Sequence, residues 1–437
     1  MTIPEFYNTY FKPGRISTDS RKISTGSVFI ALRGDNFNGN QFAGQALQSG
    51  ASIAVVDEKI EGFGNQILQV SNTLIFLHKL AHFHRVKNKL KIIGLTGSNG
   101  KTTTKELLHT VLSEKFKVQS TQGNLNNHIG VPLTLLSVEP DTEYSVIEMG
   151  ANHPGEIKTL CTIADPDSGL ITNIGRAHLE GFGSFEGVIK TKSELFDYLA
   201  ERNRKFYCNG SDELLNKIVS TYKNCIFYNS TDSTCYGKIL ASASAISVEI
   251  TDKYKNSVIV DTQLFGDYNL INILAAACIA LDNGMTLEEI KSGIEKYQPS
   301  NFRSQVFQIG FSTIIMDCYN ANPSSMELAL KNVANSNAER KIVILGGMKE
   351  LGNYSETEHE KLFKLAENLK FDEILLFGKE FKEFSPAKGI TTESFDELTR
   401  YIHSMNLNNS LILIKGSRIN QLERLQSVLE SYYSSKS

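Results

Sequence analysis

Hydrophobic and polar positions follow each other along the chain in short blocks that predict a succession of strands and helices. The apolar, β-branched runs Ser27 to Leu32 and Ala51 to Val56 predict strands, and glycine and asparagine cluster between them. From Ser71 to Lys87 the apolar side chains recur at helical spacing instead. Residues 1–88 are therefore predicted to form a small mixed α/β domain.

The second segment, residues 89–299, opens with a predicted strand at Lys91 to Leu95, a glycine turn and a helical stretch from Lys101 to Phe116. Further strands are predicted at Tyr144 to Met149, Gly169 to Ile174, Lys205 to Cys208 and Ser257 to Val260. Leu270 to Leu281 is rich in alanine and apolar nearly all round, which indicates a buried helix. Asn229 to Ser247 is rich in serine and threonine and lacks periodicity, so we expect a loop-dominated insertion there.

The third segment, residues 300–437, alternates short apolar runs with amphipathic ones. The predicted strands are Thr313 to Met316, Lys341 to Leu345, Asp372 to Phe377 and Leu411 to Ile414. The predicted helices are Ser324 to Ala334, Glu356 to Leu369, Ser394 to His403 and Leu422 to Tyr433. Strands that alternate with helices favour a parallel sheet covered by helices, so the sequence predicts two α/β domains after the smaller mixed one.

Length and composition agree with this organisation and exclude several classes of protein. At roughly 150 residues per domain, 437 residues suggest about three domains. The formal net charge is -3, so no basic field indicates a nucleic-acid partner. No apolar run approaches the roughly 20 residues that span a bilayer, and the N-terminal residues lack the pattern of a secretory signal. Six cysteines without a C-x-x-C pair indicate reduced thiols, so we expect a soluble cytoplasmic protein.

The segment Thr96 to Glu106, TGSNGKTTTKE, stands between a predicted strand and a predicted helix. Glycines let backbone amides turn inward, and the helix N-terminus adds the positive end of its dipole, so phosphate is favoured there. Lys101 can reach terminal phosphates, and Thr102 can offer its hydroxyl to Mg²⁺. Leu95 replaces the first glycine of the longer G-x-x-x-x-G-K-[ST] pattern. We expect a nucleotide site, rather than a tight turn with a solvated lysine, at Gly97, Ser98, Asn99, Gly100, Lys101, Thr102 and Thr103.

Polar residues also follow other apolar strands. Glu148 ends YSVIEM, where it could hold a metal beside the phosphates or cap the next turn. His178 follows GLITNI and could be a metal ligand, a base or a plain loop residue. Lys190 and Lys192 lie on the helical run that follows, where a lysine near phosphate is usually another phosphate contact.

Three further clusters leave functional and structural explanations open. An amide-rich loop could read polar substrate groups or simply turn the chain, and its asparagines are Asn124, Asn126 and Asn127. A second cluster could bind ribose hydroxyls or cap the helix that follows, and it comprises Asp317, Tyr319, Asn320, Asn322 and Pro323. The charges of KELGNYSETEHEKL, residues 349–362, indicate a helix start and a solvated face.

Several strings in this sequence resemble the ATP-dependent Mur ligases of peptidoglycan synthesis. They are TGSNGKTTTKE, GNLNNHIGVPLTLL, EMGANHPGEI, TNIGRAHLEGFGSFEGVIKTKSELF, YNANPSSM and IKGSR. The resemblance covers essentially the whole chain, including TDSRKISTGSVFIALRG near its start. It implies an α/β fold of three domains: a small mixed α/β N-terminal domain for the uridine diphosphate end (1–88), a central P-loop ATPase-like parallel-sheet domain (89–299) and a C-terminal Rossmann-like domain (300–437).

The resemblance also implies a reaction and its partners. ATP would phosphorylate the terminal carboxylate of a UDP-linked peptide, and an amine would then attack the acyl phosphate. GNLNNHIGVP and YNANP favour the family member that joins D-alanyl-D-alanine to UDP-N-acetylmuramoyl-tripeptide with ATP and Mg²⁺. We expect a monomer without nucleic-acid or membrane partners. A Mur-type or folylpolyglutamate synthase-like ligase with another acceptor, and a nucleotide-binding protein without ligase activity, stay open as alternatives.

Individual positions match those of the family. The catalytic positions are Lys101, Glu148, His178 and Lys192, and the metal-binding positions are Thr102, Glu148, His178 and Lys192. Lys192 matches a lysine that the family carbamylates. The remaining nucleotide positions are Asn269, Asn272, Arg303, Asp317 and Asn320, and the uridine-end positions are Asp19, Ser20 and Arg21. This chain departs from the family at Tyr268 and Asn40, where histidine is usual, and at Gly347, where aspartate is common.

Overall fold

The computed structural model describes residues 1–230, 232–242, 245–300 and 302–434. The first part of the chain forms a parallel sheet and a short hairpin, built from β1 (Ile16–Ser17), β2 (Val28–Ile30), β3 (Arg33–Gly34), β4 (Phe37–Asn38), β5 (Ile53–Val56) and β6 (Ile67–Gln69). Its helices are α1 (Ile3–Tyr10), α2 (Ala43–Gln48) and α3 (Thr73–Lys87). The sheet order is β1-β2-β5-β6, and β3 pairs with β4. The two strands and the helix predicted in this segment are confirmed.

The central part is a second parallel sheet with helices on both faces. Its strands are β7 (Lys91–Thr96), β8 (Val118–Ser120), β9 (Tyr144–Glu148), β10 (Ser168–Ile171), β11 (Lys205–Asn209) and β12 (Cys225–Tyr228). Its helices are α4 (Lys101–Leu112), α5 (Gly130–Ser137), α6 (Glu156–Ala164), α7 (Leu179–Phe182), α8 (Phe185–Glu201), α9 (Glu213–Val219), α10 (Asn269–Asp282) and α11 (Leu287–Lys296). The strand order β12-β11-β10-β7-β9-β8 places β7, which leads into the phosphate loop, inside the sheet between β10 and β9.

The prediction of a loop-dominated insertion at Asn229 to Ser247 is wrong. Most of that segment belongs to an antiparallel sheet of β13 (Cys235–Ser242), β14 (Ile246–Asp252) and β15 (Ser257–Asp261), while Thr231, Ala243 and Ser244 lie outside the described residues. Val248 and Ile250 are buried in the same cluster as α10. Ser230, Ser233 and Thr234 lie in the turn between β12 and β13, and Ser242 and Ser247 lie where β13 ends and β14 begins, so these polar residues border the strands and hid their periodicity.

The C-terminal part is a third sheet, which is parallel except at one edge. Its strands are β16 (Gln305–Ile309), β17 (Ser312–Asp317), β18 (Arg340–Gly346), β19 (Glu373–Phe377), β20 (Gly389–Thr392) and β21 (Ser410–Lys415), and its helices are α12 (Pro323–Asn335), α13 (Ser355–Asn368), α14 (Phe395–Ser404) and α15 (Leu425–Ser434). The order is β16-β17-β21-β18-β19-β20, with β16 antiparallel to β17. Two apolar clusters, one on each face, cover this sheet with helices. The predicted parallel, helix-covered sheet is confirmed.

The helix α3 joins the first part of the chain firmly to the central part. His84 is fully buried between the hydroxyl of Tyr7 and the carbonyl of Val138, at 2.8 Å from each. Arg85 donates to the carbonyl oxygen of Asp165 at 2.9 Å and to the carboxylate of Asp167 at 2.8 Å. One apolar cluster runs through both parts. The predicted domain boundaries after residues 88 and 299 stay predictions.

Within the described ranges, none of the helices has both the length and the apolar composition needed to cross a bilayer.

Candidate active site

A cavity of about 1010 Å³ opens between the central and C-terminal sheets. Its walls are the loops that follow β7, β9, β10 and β11 in the central sheet and β17, β18 and β21 in the C-terminal sheet, together with the start of α10. Both sheets therefore turn the carboxyl ends of their strands towards the same space, which is where open α/β sheets bind ligands.

The phosphate loop folds as predicted, with two glycines in backbone conformations that other residues rarely adopt. Gly97 and Gly100 have φ of 149° and 76°. A Cβ at Gly97 would lie 2.0 Å from the hydroxyl oxygen of Thr172, and one at Gly100 would lie 2.5 Å from Oδ1 of Asn272. The loop is thus packed tightly against its neighbours and leads directly into α4, so the helix N-terminus faces the cavity. Ser98, Asn99 and Thr103 also line the cavity.

Lys101, the first residue of α4, is folded back over this loop. Its ammonium group donates to the carbonyl oxygens of Gly97 at 2.7 Å and Ser98 at 3.3 Å. Burial lowers the pKa of Lys101; the carboxylate of Glu148 acts in the opposite direction, and Arg303 lowers it further. A terminal phosphate would replace the carbonyl partners with a stronger, charged acceptor.

Glu148 ends β9 in the buried position that the sequence predicts. Its carboxylate accepts the hydroxyl of Thr102 at 2.9 Å and the amide of Asn126 at 2.8 Å. A carboxylate and a hydroxyl are oxygen ligands of the kind that Mg²⁺ prefers, and Mg²⁺ usually takes one or two carboxylates together with phosphate oxygens and water. Within the described residues, no group of three or more histidine, cysteine, aspartate and glutamate side chains lies close enough to hold a metal. Thr102 and Glu148 therefore fit a Mg²⁺ ion that is also bound by a phosphate better than a Mg²⁺ ion bound by protein side chains alone.

The other two predicted metal positions have contacts of their own. His178 lines the cavity, and its Nδ1 contacts the carboxylate of Glu350 from the C-terminal sheet. Lys192 is buried on α8, with its ammonium group 5.5 Å from the ring centroid of Phe182. Burial, and next the charge of Lys101, lower the pKa of Lys192 well below its usual value. Such an amine is more easily neutral, which is the form that carbamylation requires.

The predicted asparagine loop also borders the cavity, with Asn124, Asn126 and Asn127 in its lining. The side-chain amide of Asn126 donates to Glu148, as described above. Asn127 Oδ1 instead accepts the backbone amides of Ile129 and Gly130, at the start of α5. Asn127 therefore belongs to the turn before α5, and the recognition of polar substrate groups by this loop stays a prediction.

The start of α10 provides the opposite wall. The side-chain amide of Asn269 donates to the carbonyl oxygen of Phe265 at 2.7 Å, and that of Asn272 donates to Asn269 Oδ1 at 2.8 Å. Asn272 Oδ1 in turn accepts the hydroxyl of Thr104 in α4 at 3.1 Å. This buried chain of hydrogen bonds fixes α10 against the phosphate-loop helix.

Tyr268, which stands where the family has histidine, lies beside it and shares a 2.9 Å hydrogen bond with the hydroxyl of Ser304.

The C-terminal part of the chain lines the cavity with Arg303, Asp317 and Asn320, and their contact with the nucleotide stays a prediction. The guanidinium of Arg303 lies 3.7 Å from the ring centroid of Tyr319, and its buried Nε has no hydrogen-bond partner among the residues described. Asp317 pairs with the ammonium group of Lys415 at 2.6 Å. The alternative that this cluster caps α12 is confirmed through Asn322, whose side chain accepts the amide of Ser325, and the binding of ribose hydroxyls stays a prediction.

Asp19, Ser20 and Arg21 lie apart from this cavity, in a short helical turn after β1. Asp19 accepts the backbone amide and the guanidinium of Arg21, and the hydrogen bond from that side chain lowers the pKa of Asp19 to about 2. The side chain of Arg21 is 82% exposed. Asn40, which stands where the family usually has histidine, is buried and exchanges hydrogen bonds with Asp57.

The prediction that residues 349–362 contain a helix start and a solvated face is confirmed, because α13 begins at Ser355 and Glu356, Thr357, Glu360 and Lys361 are exposed. Glu350 lines the cavity, and Glu358 and His359 are buried. His359 Nε2 accepts the backbone amide of Met348 at 2.9 Å, so the buried side of α13 packs onto the loop after β18. The hydrogen bond with His178 lowers the pKa of Glu350.

Two residues that line the cavity were missed as individual positions. Lys415 lies in IKGSR, so the resemblance contained a signal for it, but its pairing with Asp317 depends on β17 and β21 being neighbours across 98 residues of sequence. Glu350 gave no comparable signal, because its partner His178 belongs to another sheet.

Comparison with known proteins covers the same three parts of the chain. Residues 14–85 match the family described as Mur ligase family, catalytic domain; residues 95–280 match Mur ligase middle domain; and residues 303–418 match Mur ligase, glutamate ligase domain.

Full-length relatives and solved structures agree. The UDP-N-acetylmuramoyl-tripeptide–D-alanyl-D-alanine ligase of Escherichia coli strain K12 is 34% identical, covering 95% of this chain and 93% of its own length. That of Bacillus subtilis strain 168 is 31% identical over the same shares. The structure of MurF ligase from Thermotoga maritima in complex with ADP is 28% identical, with a TM-score of 0.88 over 97% of this chain and 98% of that one. MurF from Acinetobacter baumannii is 32% identical, with a TM-score of 0.87 over 95% and 93%. Since these similarities extend over nearly the whole length of both partners, the chain belongs to the Mur ligase family.

Proposed function

We propose that this chain is an ATP-dependent ligase that joins D-alanyl-D-alanine to UDP-N-acetylmuramoyl-tripeptide. The observation that carries the proposal is the single cavity in which the phosphate loop with Lys101 faces Arg303 and Asp317 of a second sheet. Relatives that match 95% of this chain have that activity in their names. The fold shared with a folylpolyglutamate synthase, at 12% identity, supports only the architecture.

The chemistry follows from the difficulty of making an amide from a carboxylate. A carboxylate oxygen of the tripeptide attacks the γ-phosphorus of ATP, the bond to the β–γ bridging oxygen breaks, and ADP leaves. The amine of the dipeptide then attacks the acyl carbon. The resulting tetrahedral intermediate loses a proton from nitrogen and expels inorganic phosphate, which leaves the new amide.

The residues of the cavity suit the first step. The loop amides and Lys101 bind the phosphates, and the unpaired Nε of Arg303 gives a further donor from the opposite wall. Positive groups on both sides offset the charge that builds on the transferring phosphoryl group. Because the two walls belong to different sheets, the site also excludes water when they are packed together.

Mg²⁺ would be held by Thr102 and Glu148, with His178 and Lys192 as further predicted ligands, and it would neutralise charge on the phosphate oxygens. The carboxylate of Glu148 is already oriented by Thr102 and Asn126. A carbamylated Lys192 would bring a second anion to the same region; the depressed pKa of its amine supports that modification. We place the enzyme in the cytoplasm, in line with its predicted reduced cysteines. We also expect it to be a monomer.

Two measurements test the proposal. Tripeptide labelled with ¹⁸O in its terminal carboxylate should deliver one labelled oxygen to the inorganic phosphate, because that oxygen bridges the acyl phosphate. Phosphate without the label would refute the acyl-phosphate route. Phosphate release measured across acceptors should require D-alanyl-D-alanine; release driven by glutamate or diaminopimelate would assign the chain to another amide ligase. ATP binding without turnover for any acceptor would favour a nucleotide-binding protein.

A further inference from the structure

The carboxylate of Glu380 fills the space beside Gly347, the residue that follows β18. Gly347 stands where aspartate is common in the family. Its φ lies outside the left-handed range, so the backbone conformation does not itself require glycine. A Cβ at Gly347 would instead overlap this carboxylate, at 2.8 Å from its Cδ. The neighbouring carboxylate, rather than the backbone, therefore excludes a side chain at position 347.

Glu380 lies in the short helical turn that follows β19, Lys379–Phe381. The strands β18 and β19 are parallel neighbours, with Gly346 paired to Phe377, so this turn lies beside the loop that follows β18. A Cβ at Gly378 would also lie 2.9 Å from Oε2 of Glu380. Two glycines, one after each strand, therefore leave room for a single carboxylate.

The turn after β19 supports the loop after β18 through two side chains. Glu380, whose side chain is 10% exposed, accepts a hydrogen bond from the ammonium group of Lys349. The ring of Phe381 packs edge-on against His359, with 5.0 Å between the ring centroids, and His359 accepts the backbone amide of Met348 at 2.9 Å. Two consecutive residues of the loop are thus held from the turn.

We propose that Glu380 is a positioning residue whose carboxylate takes the place of the aspartate side chain that is common at position 347. By holding Lys349 it fixes the loop that brings the next residue, Glu350, to the cavity. A hydrogen bond between an ammonium group and a carboxylate is charge-assisted, and therefore stronger than a neutral one. The inference rests on the proposed function, because the cavity is where the amide would form.

The backbone of the same loop has hydrogen bonds that do not involve the side chain of Glu380. The amide of Gly347 donates to the carbonyl oxygen of Phe377 at 3.0 Å, and the side-chain amide of Asn420 donates to the carbonyl oxygen of Gly347 at 2.8 Å. These bonds remain when the carboxylate is removed. A variant at position 380 should therefore fold and change the position of Lys349 and of the residues next to it.

The first test moves the carboxylate from one strand end to the other and measures urea unfolding of the full-length chain. The variants are Gly347→Asp, Glu380→Ala and the combination of both. In Gly347→Asp two carboxylates compete for one space, so the urea midpoint should fall. In the double variant the new side chain enters a space that has been vacated, so the midpoint should return towards the wild-type value.

The second test measures the kinetic constants for D-alanyl-D-alanine at saturating ATP and UDP-linked substrate. Glu380→Ala should lower kcat by about 10- to 100-fold, because a misplacement of about 1 Å at a reacting site can cost about 100-fold. ATP affinity should stay unchanged, since the phosphate loop belongs to another sheet. A purely structural role would lower the urea midpoint and leave kcat unchanged.

Two variants with an acceptor and one control complete the second test. Glu380→Gln, whose amide oxygen can still accept from Lys349, should recover part of the lost kcat, and so should the combination of Gly347→Asp with Glu380→Ala. The matched control is Glu383→Ala, which removes an exposed carboxylate, paired with Lys382, close to the same turn. It should have the kcat of the wild type.

The outcomes separate this inference from the proposed function. A Glu380→Ala variant with wild-type kcat, or an equal loss in Glu383→Ala, overturns the positioning role. Gly347→Asp effects that are the same with and without Glu380 overturn the shared place of the two carboxylates. A wild-type chain that forms no amide with D-alanyl-D-alanine overturns the proposed function, while the urea midpoints still decide whether positions 347 and 380 share one carboxylate site.

Discussion

Replacing Gly100 by alanine tests how the phosphate loop is held, and the chain provides a close control. Gly100 precedes α4 with φ of 76° and ψ of -3°. Gly155 precedes α6 with φ of 84° and ψ of -11°. The two glycines therefore have the same place relative to a helix and nearly the same backbone conformation. They differ in their surroundings, because a Cβ at Gly155 meets nothing within 4 Å and one at Gly100 would lie 2.5 Å from Asn272 Oδ1.

The size of the difference follows from the contacts of Asn272. Alanine in the left-handed region costs about 1–2 kcal/mol at either position. At Gly100 the new methyl group must also displace a buried side chain that bonds to Thr104 and Asn269. Each of these hydrogen bonds contributes about 1 kcal/mol. We therefore expect Gly155→Ala to lower the free energy of unfolding by about 1–2 kcal/mol and Gly100→Ala by about 3–4 kcal/mol.

Urea unfolding measures the free energy of unfolding of each variant, and calorimetric titration measures its affinity for ATP. ATP affinity should fall at least about tenfold in Gly100→Ala, which corresponds to about 1.4 kcal/mol, and stay unchanged in Gly155→Ala. Equal unfolding free energies and equal ATP affinities for the two variants would refute the reasoning, because Gly100 differs from Gly155 by its contact with Asn272 and by its place in the phosphate loop.

Three further predictions concern other parts of the chain. Lys192→Ala should nearly abolish turnover, with partial rescue by a small added carboxylate in the phosphate-release assay, because the proposed ligand at this position is an anion. Arg85→Leu should lower the free energy of unfolding in urea by about 2 kcal/mol, because its guanidinium, 10% exposed, bonds to Asp165 and Asp167. Burial lowers the pKa of His84, so the unfolded chain, with an ordinary pKa of about 6.5, takes up the proton first. Stability should therefore be full above about pH 6.5 and fall as the pH drops below it.

Controls accompany each of these predictions. A fully active Lys192→Ala variant would contradict the ligand role. Lys59→Ala removes an ion pair that is exposed on both sides and should leave stability nearly unchanged; an equal loss in Arg85→Leu and Lys59→Ala would contradict the argument from burial. The acid loss of stability should be smaller in His84→Gln, and equal pH profiles in wild type and variant would assign the effect to other groups.

The succession of elements was largely available from the sequence. Strands such as Lys91–Thr96 and Arg340–Gly346 are short and apolar, and turn residues follow them closely. The helix Asn269–Asp282 was recognisable because its own residues are apolar on nearly every side and include several alanines and leucines. The antiparallel sheet at residues 235–261 was only partly recognised, because serine and threonine residues before its first strand and at the turn between the first two strands hid the alternation.

The composition of the site was also largely available, but its pairings were not. The phosphate loop is local, since its glycines, lysine and threonine lie within a few residues and their spacing indicates their chemistry. Glu148 and Thr102 were each identified, yet their 2.9 Å hydrogen bond depends on β7 and β9 being neighbours.

By itself the sequence determined what is set by neighbouring residues: the periods of strands and helices, the glycine turn that accepts phosphate, and the strings that indicate the family. Tertiary structure alone decided which charges face each other, as in the pairs of Asp317 with Lys415 and of His178 with Glu350. The reason is physical. Backbone propensity and loop chemistry act over a few residues, whereas burial and electrostatic pairing depend on the order in which strands assemble into sheets and on how one sheet packs against another.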